Sequence, residues 1–286
     1  MWETIEKALA EATGEEFKIL DRRSISGGCI NDAQRIDGAA ASYFVKTNGG
    51  RFHDLFAAEA AALHEIARTE TIRVPQPICH GLAGDDCAFL ALEFVETGPD
   101  GSSSQRQLGE SLARLHGVRN SFFGWTRENA IGSTPQLNDP CDNWAMFFRE
   151  QRLRFQFELA ADKGKRFAGC DELLDKVAEL LADHEPFPSL LHGDLWGGNA
   201  ACDSQGEPFV FDPATYYGDR ETDLAFTEMF GGFSTDFRKG YETHFPLDVG
   251  YSRRKILYNL YHLLNHFNIF GGGYASSAQA SIDELL

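Results

Sequence analysis

Two short segments of this 286-residue chain carry side chains that could transfer a phosphoryl group. The first, LLHGDLWGGN at residues 190–199, contains Asp194 and, five positions later, Asn199. The second, FVFDP, ends an apolar run at Asp212. Phosphoryl transfer needs one carboxylate beside the attacking hydroxyl and separate oxygen ligands that hold magnesium on the phosphates. We therefore predict Asp194 as the catalytic base, with Asn199 and Asp212 as magnesium ligands.

The spacing of these residues supports the assignment. A loop that leaves at Asp194 and returns at Asn199 can point both side chains into one cleft, while Asp212 enters from the neighbouring strand. The alternative is ordinary turn chemistry, since His-Gly-Asp and Asp-Pro also occur in simple turns. The presence of all three residues at this spacing favours the catalytic interpretation.

A second group of candidates, in the first hundred positions, could bind a nucleotide. Lys46 ends the strand-like run YFVK, where a lysine is either a solvated edge residue or a phosphate ligand. Glu59 lies in the helix-like segment AAEAAALHEIA. It could pair with Lys46 and hold it over the phosphates, as a strand lysine and a helix glutamate do in protein kinases. Glu65 and Glu70 are expected to face solvent.

Two backbone features complete the predicted nucleotide site. In the turn SGGCIN, Gly27 and Gly28 would let backbone amides approach the phosphates, although a plain hairpin turn has the same composition. Glu93, Phe94 and Val95 follow an apolar run where two lobes would join. Their backbone groups are candidates for hydrogen bonds to adenine, and a buried strand end is the alternative.

The elements that position these residues follow from hydrophobic periodicity. Strands are predicted at residues 19–26, 33–36, 42–47 and 89–95. Helices are predicted at residues 1–14, 55–67, 105–116, 143–163, 172–183 and 256–270, because apolar residues recur three and four positions apart. Pro75 and Pro77 are expected to end the helical region that precedes the strand at residues 89–95.

The segment GPDGSSS at residues 98–104 is rich in glycine and serine and marks the predicted lobe boundary. We therefore predict an α+β, two-lobed fold. A nucleotide-binding lobe, residues 1–97, has a small antiparallel sheet with one inserted helix. A larger, mainly helical lobe, residues 98–286, is predicted to carry the catalytic and substrate-binding residues.

Composition limits the classes of partner. The chain has 26 basic and 43 acidic residues and a formal charge of -17, which repels nucleic acids and anionic membranes. No apolar run approaches the roughly 20 residues of a membrane span, and the amphipathic first segment argues against a signal peptide. Six scattered cysteines without a CxxC pair disfavour a zinc knuckle or a disulfide scaffold and favour the cytoplasm. Oligomeric state stays open.

The sequence gives less support to a metal-binding histidine pair, a serine hydrolase or a P-loop NTPase. His262 and His266, four positions apart, could suggest a metal pair, but no HExxH motif accompanies them, and a lining or packing role in the larger lobe is favoured. The charged residues of 139–154 are predicted to be solvated helix faces. Serine hydrolases and P-loop NTPases are disfavoured because neither GxSxG nor GxxxxGK[ST] occurs.

Three longer motifs closely resemble those of the fructosamine-3-kinase, or ketosamine kinase, family. They are HGDLWGGN, FDPATYYGDRETDLAFTEMFGGF and NLYHLLNHFNIFGGGY, and the resemblance runs from the GGCIN turn to the carboxyl terminus. These kinases share a two-lobed protein-kinase-like fold with aminoglycoside phosphotransferases and choline kinases. The tryptophan after HGDL and the YYGDRETDLA segment separate the family from those relatives.

The resemblance implies an activity and a set of roles. ATP, as its Mg²⁺ complex, would phosphorylate the third-carbon hydroxyl of a ketosamine, the sugar adduct of a glycated amine, and the unstable product would shed the sugar. Asp194 would accept the substrate proton. Trp196 would form part of the sugar-binding face, since an indole offers apolar area with a donor at one edge, or it would anchor the loop. Asp223 would brace the catalytic loop, or would be a surface charge.

Alternatives remain at this point. An aminoglycoside-like or choline-like kinase and a non-catalytic scaffold of the same fold are the other functions considered. The acceptor could be a glycated free amino acid or a protein-bound adduct. Cys29 stands where many bacterial relatives have serine, which suggests redox regulation, although a single cysteine is often only a small apolar residue.

Overall fold

The computed structural model describes residues 1–25, 31–84 and 86–286. Gly27, Gly28 and Cys29, predicted to form the phosphate-covering turn and a redox switch, lie outside the described residues. Throughout the described ranges, no helix combines the length and the apolar character that crossing a membrane requires.

The first part of the chain, the sheet lobe, is built on antiparallel strands. Those described are β1 (Asp21–Ser24), β2 (Asp32–Asp37), β3 (Ser42–Gly49), β4 (Pro77–Leu82) and β5 (Cys87–Glu93). They pair in the order β1-β2-β3-β5-β4. The four predicted strands are present. The structure also contains β4, which was not predicted because it begins with Pro77. A proline is tolerated at the first position of an edge strand, and β4 lies at the edge of the sheet.

Two helices cover the two faces of this sheet. They are α1 (Trp2–Thr13) and α2 (His53–Arg68), the latter preceded by a 3-10 turn at Gly50–Phe52. Side chains of β5 alternate between them, as the two-residue period of a strand requires: Leu90 belongs to the core under α2, and Phe89 to the core under α1. Both predicted helices are therefore confirmed.

The second part, the helical lobe, carries most of the helices and short two-stranded ribbons. Its helices are α3 (Ser102–His116), α4 (Trp144–Phe148), α5 (Phe155–Asp162), α6 (Cys170–Leu180), α7 (Glu221–Thr227), α8 (Thr235–His244), α9 (Tyr251–Phe270) and α10 (Tyr274–Leu285). Its strands are β6 (Asn129–Ile131), β7 (Thr134–Gln136), β8 (Ser189–Leu190), β9 (Ala200–Cys202), β10 (Pro208–Val210) and β11 (Tyr217–Gly218). The predicted α+β, two-lobed architecture is confirmed.

The helix predicted at residues 143–163 is present, since residues 144–162 are helical without a break, but it is not one regular α-helix. A π-helical turn, Arg149–Arg154, separates α4 from α5. Arg152 is fully buried there, with Nη2 2.9 Å from Asn138 Oδ1 and its guanidinium 4.0 Å from the centre of the Tyr216 ring. The expectation of a solvated face was wrong for this residue, because carbonyl and amide oxygens together with an aromatic face replace water around it.

Two glycines allow α3 and α8 to touch through their backbones. A methyl group on Gly109 would lie 2.0 Å from Phe237 O, and one on Gly240 would lie 2.1 Å from Arg106 O. A larger residue at either position would push the helices apart. Their close packing places His116, the last residue of α3, against the centre of the helical lobe.

A partly buried ion pair gives the helical lobe a pH-dependent contribution to stability. His184 Nε2 lies 2.7 Å from Asp219 Oδ2, which also accepts a hydrogen bond from Tyr258. Burial lowers the pKa of His184, but the hydrogen bond and charge of Asp219, with the charge of Glu221, outweigh burial and raise the pKa above its usual value. The stabilisation is therefore full below the ordinary histidine pKa and is lost as pH rises through the folded-state pKa.

We expect His184→Gln to lower the free energy of unfolding more at about pH 5.5, below the ordinary histidine pKa of about 6.5, than at about pH 9. Urea unfolding of both proteins at the two pH values measures this difference. His244→Gln, at an exposed position of α8, is the matched control. Equal losses for His184→Gln at both pH values would contradict the ion pair.

Candidate active site

A hairpin brings two of the predicted oxygen ligands to one place. Ala200 of β9 pairs with Val210 of β10, and the Phe211 N–H donates to Asn199 O at 3.0 Å. Asn199 and Asp212 therefore emerge at the same end of the hairpin. Asp212 has a φ of 58°, a left-handed conformation that a residue with a side chain adopts only when its surroundings impose it.

The loop before this hairpin places Asp194 against Asn199, as the spacing predicts. The amide nitrogen of Asn199 donates to Asp194 O at 2.9 Å and to Asp194 Oδ2 at 3.1 Å. These two hydrogen bonds fix the orientation of the amide. Its oxygen is thereby left as the atom that can bind a metal ion.

Lys46 reaches this place from the sheet lobe. It lies on β3, between β2 and β5, and is only 4% exposed, so the alternative of a solvated edge lysine is wrong. Its Nζ donates to Glu59 Oε1 at 2.7 Å and also to Asp212 Oδ1. Burial lowers the pKa of Lys46, but the two carboxylates outweigh burial and raise it above the usual value. The lysine is therefore a fixed positive charge.

The environment of Asp194 makes it a stronger base than an exposed aspartate. Burial raises its pKa well above the ordinary value, and the negative charges of Asp212 and Asp223 raise it further. The hydrogen bond from Asn199 offsets only part of this effect. A carboxylate with a raised pKa holds a proton more readily, which is the property a general base needs.

Asp223 of α7 braces the loop that carries Asp194. It is buried and accepts hydrogen bonds from the backbone N–H groups of His192, at 2.8 Å, and Gly193, at 2.9 Å. His116 Nε2 lies 3.1 Å from the same carboxylate. The alternative of a surface charge is therefore wrong. Gly193 has a φ of 83°, and a methyl group there would lie 2.0 Å from Ala214 O, so the loop requires glycine.

Sequence reasoning missed the contributions of two residues, His192 in the catalytic loop and Glu65 on α2. His192 Nε2 lies 3.0 Å from Phe211 O, and its Nδ1 accepts from the Asp194 N–H at 3.3 Å, so the ring ties the loop to the strand before Asp212. Its position in the His-Gly-Asp motif was the available signal. Burial lowers the pKa of His192, which suits a neutral ring that donates once and accepts once.

The second is Glu65, and the expectation that it faces solvent was wrong. Its carboxylate accepts from Trp125 Nε1 at 2.6 Å and from Tyr217 OH at 2.7 Å, which ties α2 to the helical lobe. Both donors are distant in sequence, so helical periodicity could not reveal them. Glu70 is exposed, as predicted.

The predicted adenine-binding residues, 93–95, begin at the last residue of β5, the strand that pairs with the lysine-bearing strand β3. Lys46 pairs with Leu90 and Tyr43 with Glu93, so Glu93 stands three residues, roughly 10 Å, farther along the sheet. The Glu93 N–H donates to Gln76 O at 2.8 Å, and its carboxylate accepts from Arg73 at 3.1 Å. The N–H and the carboxylate of Glu93 are therefore both engaged within the sheet lobe.

Two of the predicted binding residues, Phe94 and Trp196, are aromatic. The Phe94 ring lies 4.2 Å from the Arg35 guanidinium. Trp196 is 38% exposed, and its indole covers Gly198, where a methyl group would lie 2.2 Å from the ring. The indole both packs on its own loop and offers an exposed surface.

The two histidines of α9 contact aromatic rings in the structure, His262 as a buried residue and His266 as a half-buried one. His262 is buried, and its ring is stacked on Phe226 with a centroid distance of 3.6 Å and an interplanar angle of 4°. His266 Nδ1 donates to His262 O at 2.7 Å. A lining or packing role was predicted for both residues.

Comparison with known proteins identifies the family. The family model for fructosamine kinase matches residues 1–286. A probable ketoamine kinase of Synechocystis is 48% identical, covering 100% of this chain and 97% of the relative. The chloroplastic protein-ribulosamine 3-kinase of Arabidopsis thaliana is 39% identical, covering 96% and 85%.

Comparison with solved structures supports the same family and fold. A crystal structure from Haemophilus somnus, provisionally described as a fructosamine-3-kinase, is 34% identical, covers 100% of this chain and 98% of its own, and superposes with a TM-score of 0.94. Aminoglycoside phosphotransferase APH(4)-Ia, at 16% identity and a TM-score of 0.67, covers 100% and 98% and shares the fold. This protein is therefore a kinase with the protein-kinase-like fold, and it belongs to the fructosamine kinase family.

Proposed function

We propose that the protein uses ATP to phosphorylate the third-carbon hydroxyl of ketosamines, with Asp194 as the catalytic base. One observation carries the proposal: Lys46, from the sheet lobe, contacts Asp212, whose charge raises the pKa of Asp194 in the helical lobe. A phosphate-binding cation and a basic carboxylate therefore lie in one site, as transfer of a phosphoryl group requires.

Each side chain has a role in this scheme. Glu59 holds Lys46 toward the phosphates of ATP. Asp194 accepts the proton of the acceptor hydroxyl, while the hydroxyl oxygen forms a bond to the γ-phosphorus and the bond to the leaving ADP oxygen breaks. Trp196 offers its exposed face to the sugar.

The donor set fits Mg²⁺. The amide oxygen of Asn199 and the carboxylate of Asp212 are the hard oxygen ligands this ion prefers, and they emerge at one end of the same hairpin. When bound, the ion would neutralise charge on the phosphates. Nucleotide use is supported by the shared fold, since one APH(4)-Ia structure is a complex with ADP and hygromycin B.

Further parts of the proposal rest on the sequence and the family. Gly27 and Gly28 would cover the phosphates, and the backbone of residues 93–95 would bind adenine. The nucleotide-binding lobe would span residues 1–97 and the catalytic lobe residues 98–286. We propose that the enzyme is cytoplasmic. Its phosphorylated product would lose the sugar, so that small-molecule or protein-bound amines are deglycated. Protein-ribulosamine 3-kinases are among its relatives.

An ATP-consumption assay with synthetic fructosamine and ribulosamine tests the activity. We expect ADP release that depends on the ketosamine. Turnover on an aminoglycoside or choline, with none on any ketosamine, would instead identify a related alcohol kinase. Nucleotide binding without turnover on any acceptor would identify a non-catalytic scaffold.

A further inference from the structure

A row of aromatic rings begins at the catalytic loop and continues across the helical lobe. Among the described residues, the large apolar side chains that are exposed include Trp196, Phe230 and Phe270, at 38%, 44% and 54%. Phe230 lies 6.4 Å from Trp196 and 5.2 Å from His266, and His266 lies 5.8 Å from Phe270 and 5.0 Å from Tyr274. We call these five side chains the aromatic ledge.

The backbone fixes the ledge to the catalytic loop. Phe230 is followed by Gly231 and Gly232, and a methyl group on Gly232 would lie 2.7 Å from the Cα of Gly197. Gly197 is the residue after Trp196, so the segment carrying Phe230 packs directly on the loop that carries Asp194. The near end of the ledge is therefore part of the candidate active site.

The far end of the ledge is open. It is formed where α9 ends at Phe270 and α10 begins at Tyr274. A methyl group placed on Gly271, Gly272 or Gly273, in the turn between them, would meet no atom within 4 Å. A ligand lying along the ledge can therefore continue past this turn into solvent.

The position of the ledge indicates what it binds. The reacting hydroxyl of a ketosamine must reach Asp194, so the ketose lies beside Trp196 and the amine portion must lead away from the loop. A ketose is about the size of a single aromatic side chain, whereas the ledge continues from Trp196 through Phe230 and His266 to Phe270. This surface is larger than the sugar requires.

We propose that the aromatic ledge binds the amine portion of the acceptor, so that the enzyme prefers ketosamines of amines with apolar or aromatic groups over those of small polar amines. The proposal rests on the proposed function and names its acceptor class. Aromatic faces attract both apolar groups and the cationic secondary amine of a ketosamine. The charge of -17 adds a long-range attraction for that cation.

The central ring of the ledge suits a cationic ligand. Burial lowers the pKa of His266, and its Nδ1 donates to His262 O at 2.7 Å. The imidazole is therefore neutral at physiological pH and does not repel an ammonium group.

Two ketosamines with the same ketose test the proposal, one made from 4-phenylbutylamine, whose chain is long enough to lead from Trp196 toward Phe270, and one from glycine. We expect wild-type kcat/KM to be higher for the phenylbutylamine adduct. Phe270→Ala should lower the ratio of the two kcat/KM values roughly tenfold, the effect of losing one aromatic contact. Leu82→Ala, which removes a 50% exposed apolar side chain from β4, should leave the ratio unchanged.

Calorimetric binding of both adducts, with a non-hydrolysable ATP analogue present, separates this proposal from the proposed function. If neither adduct is phosphorylated, the proposed function is wrong. The effect of Phe270→Ala on the affinities for the two adducts then still decides whether the ledge binds the amine portion. Turnover with the same ratio in wild type and Phe270→Ala would overturn the ledge and leave the function intact. If the wild-type protein forms a dimer that Phe270→Ala abolishes, and the ratio of the two kcat/KM values does not change, the ledge serves self-association and the proposal is also overturned.

Discussion

Asp194→Asn is expected to lower kcat by roughly 10²- to 10⁴-fold, the range attributed to a positioned acid or base, while ATP still binds. The asparagine has the same shape and its oxygen can still accept the hydrogen bond from Asn199, which donates to Asp194 Oδ2 at 3.1 Å. It cannot take a proton from the acceptor hydroxyl. Removing a negative charge beside the phosphates should leave ATP affinity equal or slightly higher, because repulsion is relieved.

Steady-state kinetics with a ketosamine and calorimetric titration with ATP measure the two effects separately. Asp175→Asn is the matched control, because this side chain of α6 is 80% exposed and lies outside the site. Wild-type kcat in Asp194→Asn would remove Asp194 from the role of base. A parallel loss of ATP binding would show that the residue acts by holding the nucleotide site.

Lys46→Met is expected to lower kcat/KM for ATP on the order of 10²-fold or more, as loss of a preorganised charged donor does. It should also destabilise the protein by about 3–5 kcal/mol, because a buried ion pair loses one member. Glu59, which accepts from Lys46 at 2.7 Å, is then a buried carboxylate without its cation. The stability loss must therefore be separated from the functional loss.

The double variant Lys46→Met with Glu59→Gln makes this separation. The neutral glutamine removes the unpaired charge, so the double variant should regain stability relative to the single variant in urea unfolding. Its kcat/KM for ATP should stay low, because the phosphate-binding cation is still missing. Recovery of activity together with stability would mean that Lys46 serves folding and not the nucleotide.

The local parts of the site could be predicted from sequence because short segments fix them. Five positions separate Asp194 from Asn199, and the β9–β10 hairpin brings Asn199 and Asp212 to one end, so few backbone arrangements are possible. Four strands of the sheet lobe (β1, β2, β3 and β5) and its two helices follow from the two-residue and three-to-four-residue periods of their apolar side chains, whereas β4 does not.

The contacts between distant segments could not be derived in this way. Lys46 and Asp212 meet although 166 residues separate them, and the analogy with protein kinases led us to expect only the pair of Lys46 with Glu59. Glu65 and Arg152 have the polarity of surface residues, and nothing local shows that Tyr217 or the Tyr216 ring will cover them. Burial of a charged side chain depends on partners that periodicity does not identify.

The position of the transferred phosphate tests the central claim most directly. Wild-type enzyme, ATP and a synthetic fructosamine would be followed by phosphorus and proton NMR until ADP release is complete. We predict one phosphate ester, coupled to the proton on the third carbon of the sugar, followed by release of the free amine. A phosphate on another hydroxyl, or consumption of ATP without a sugar phosphate, would contradict the assignment of this protein as a ketosamine kinase that acts at the third carbon.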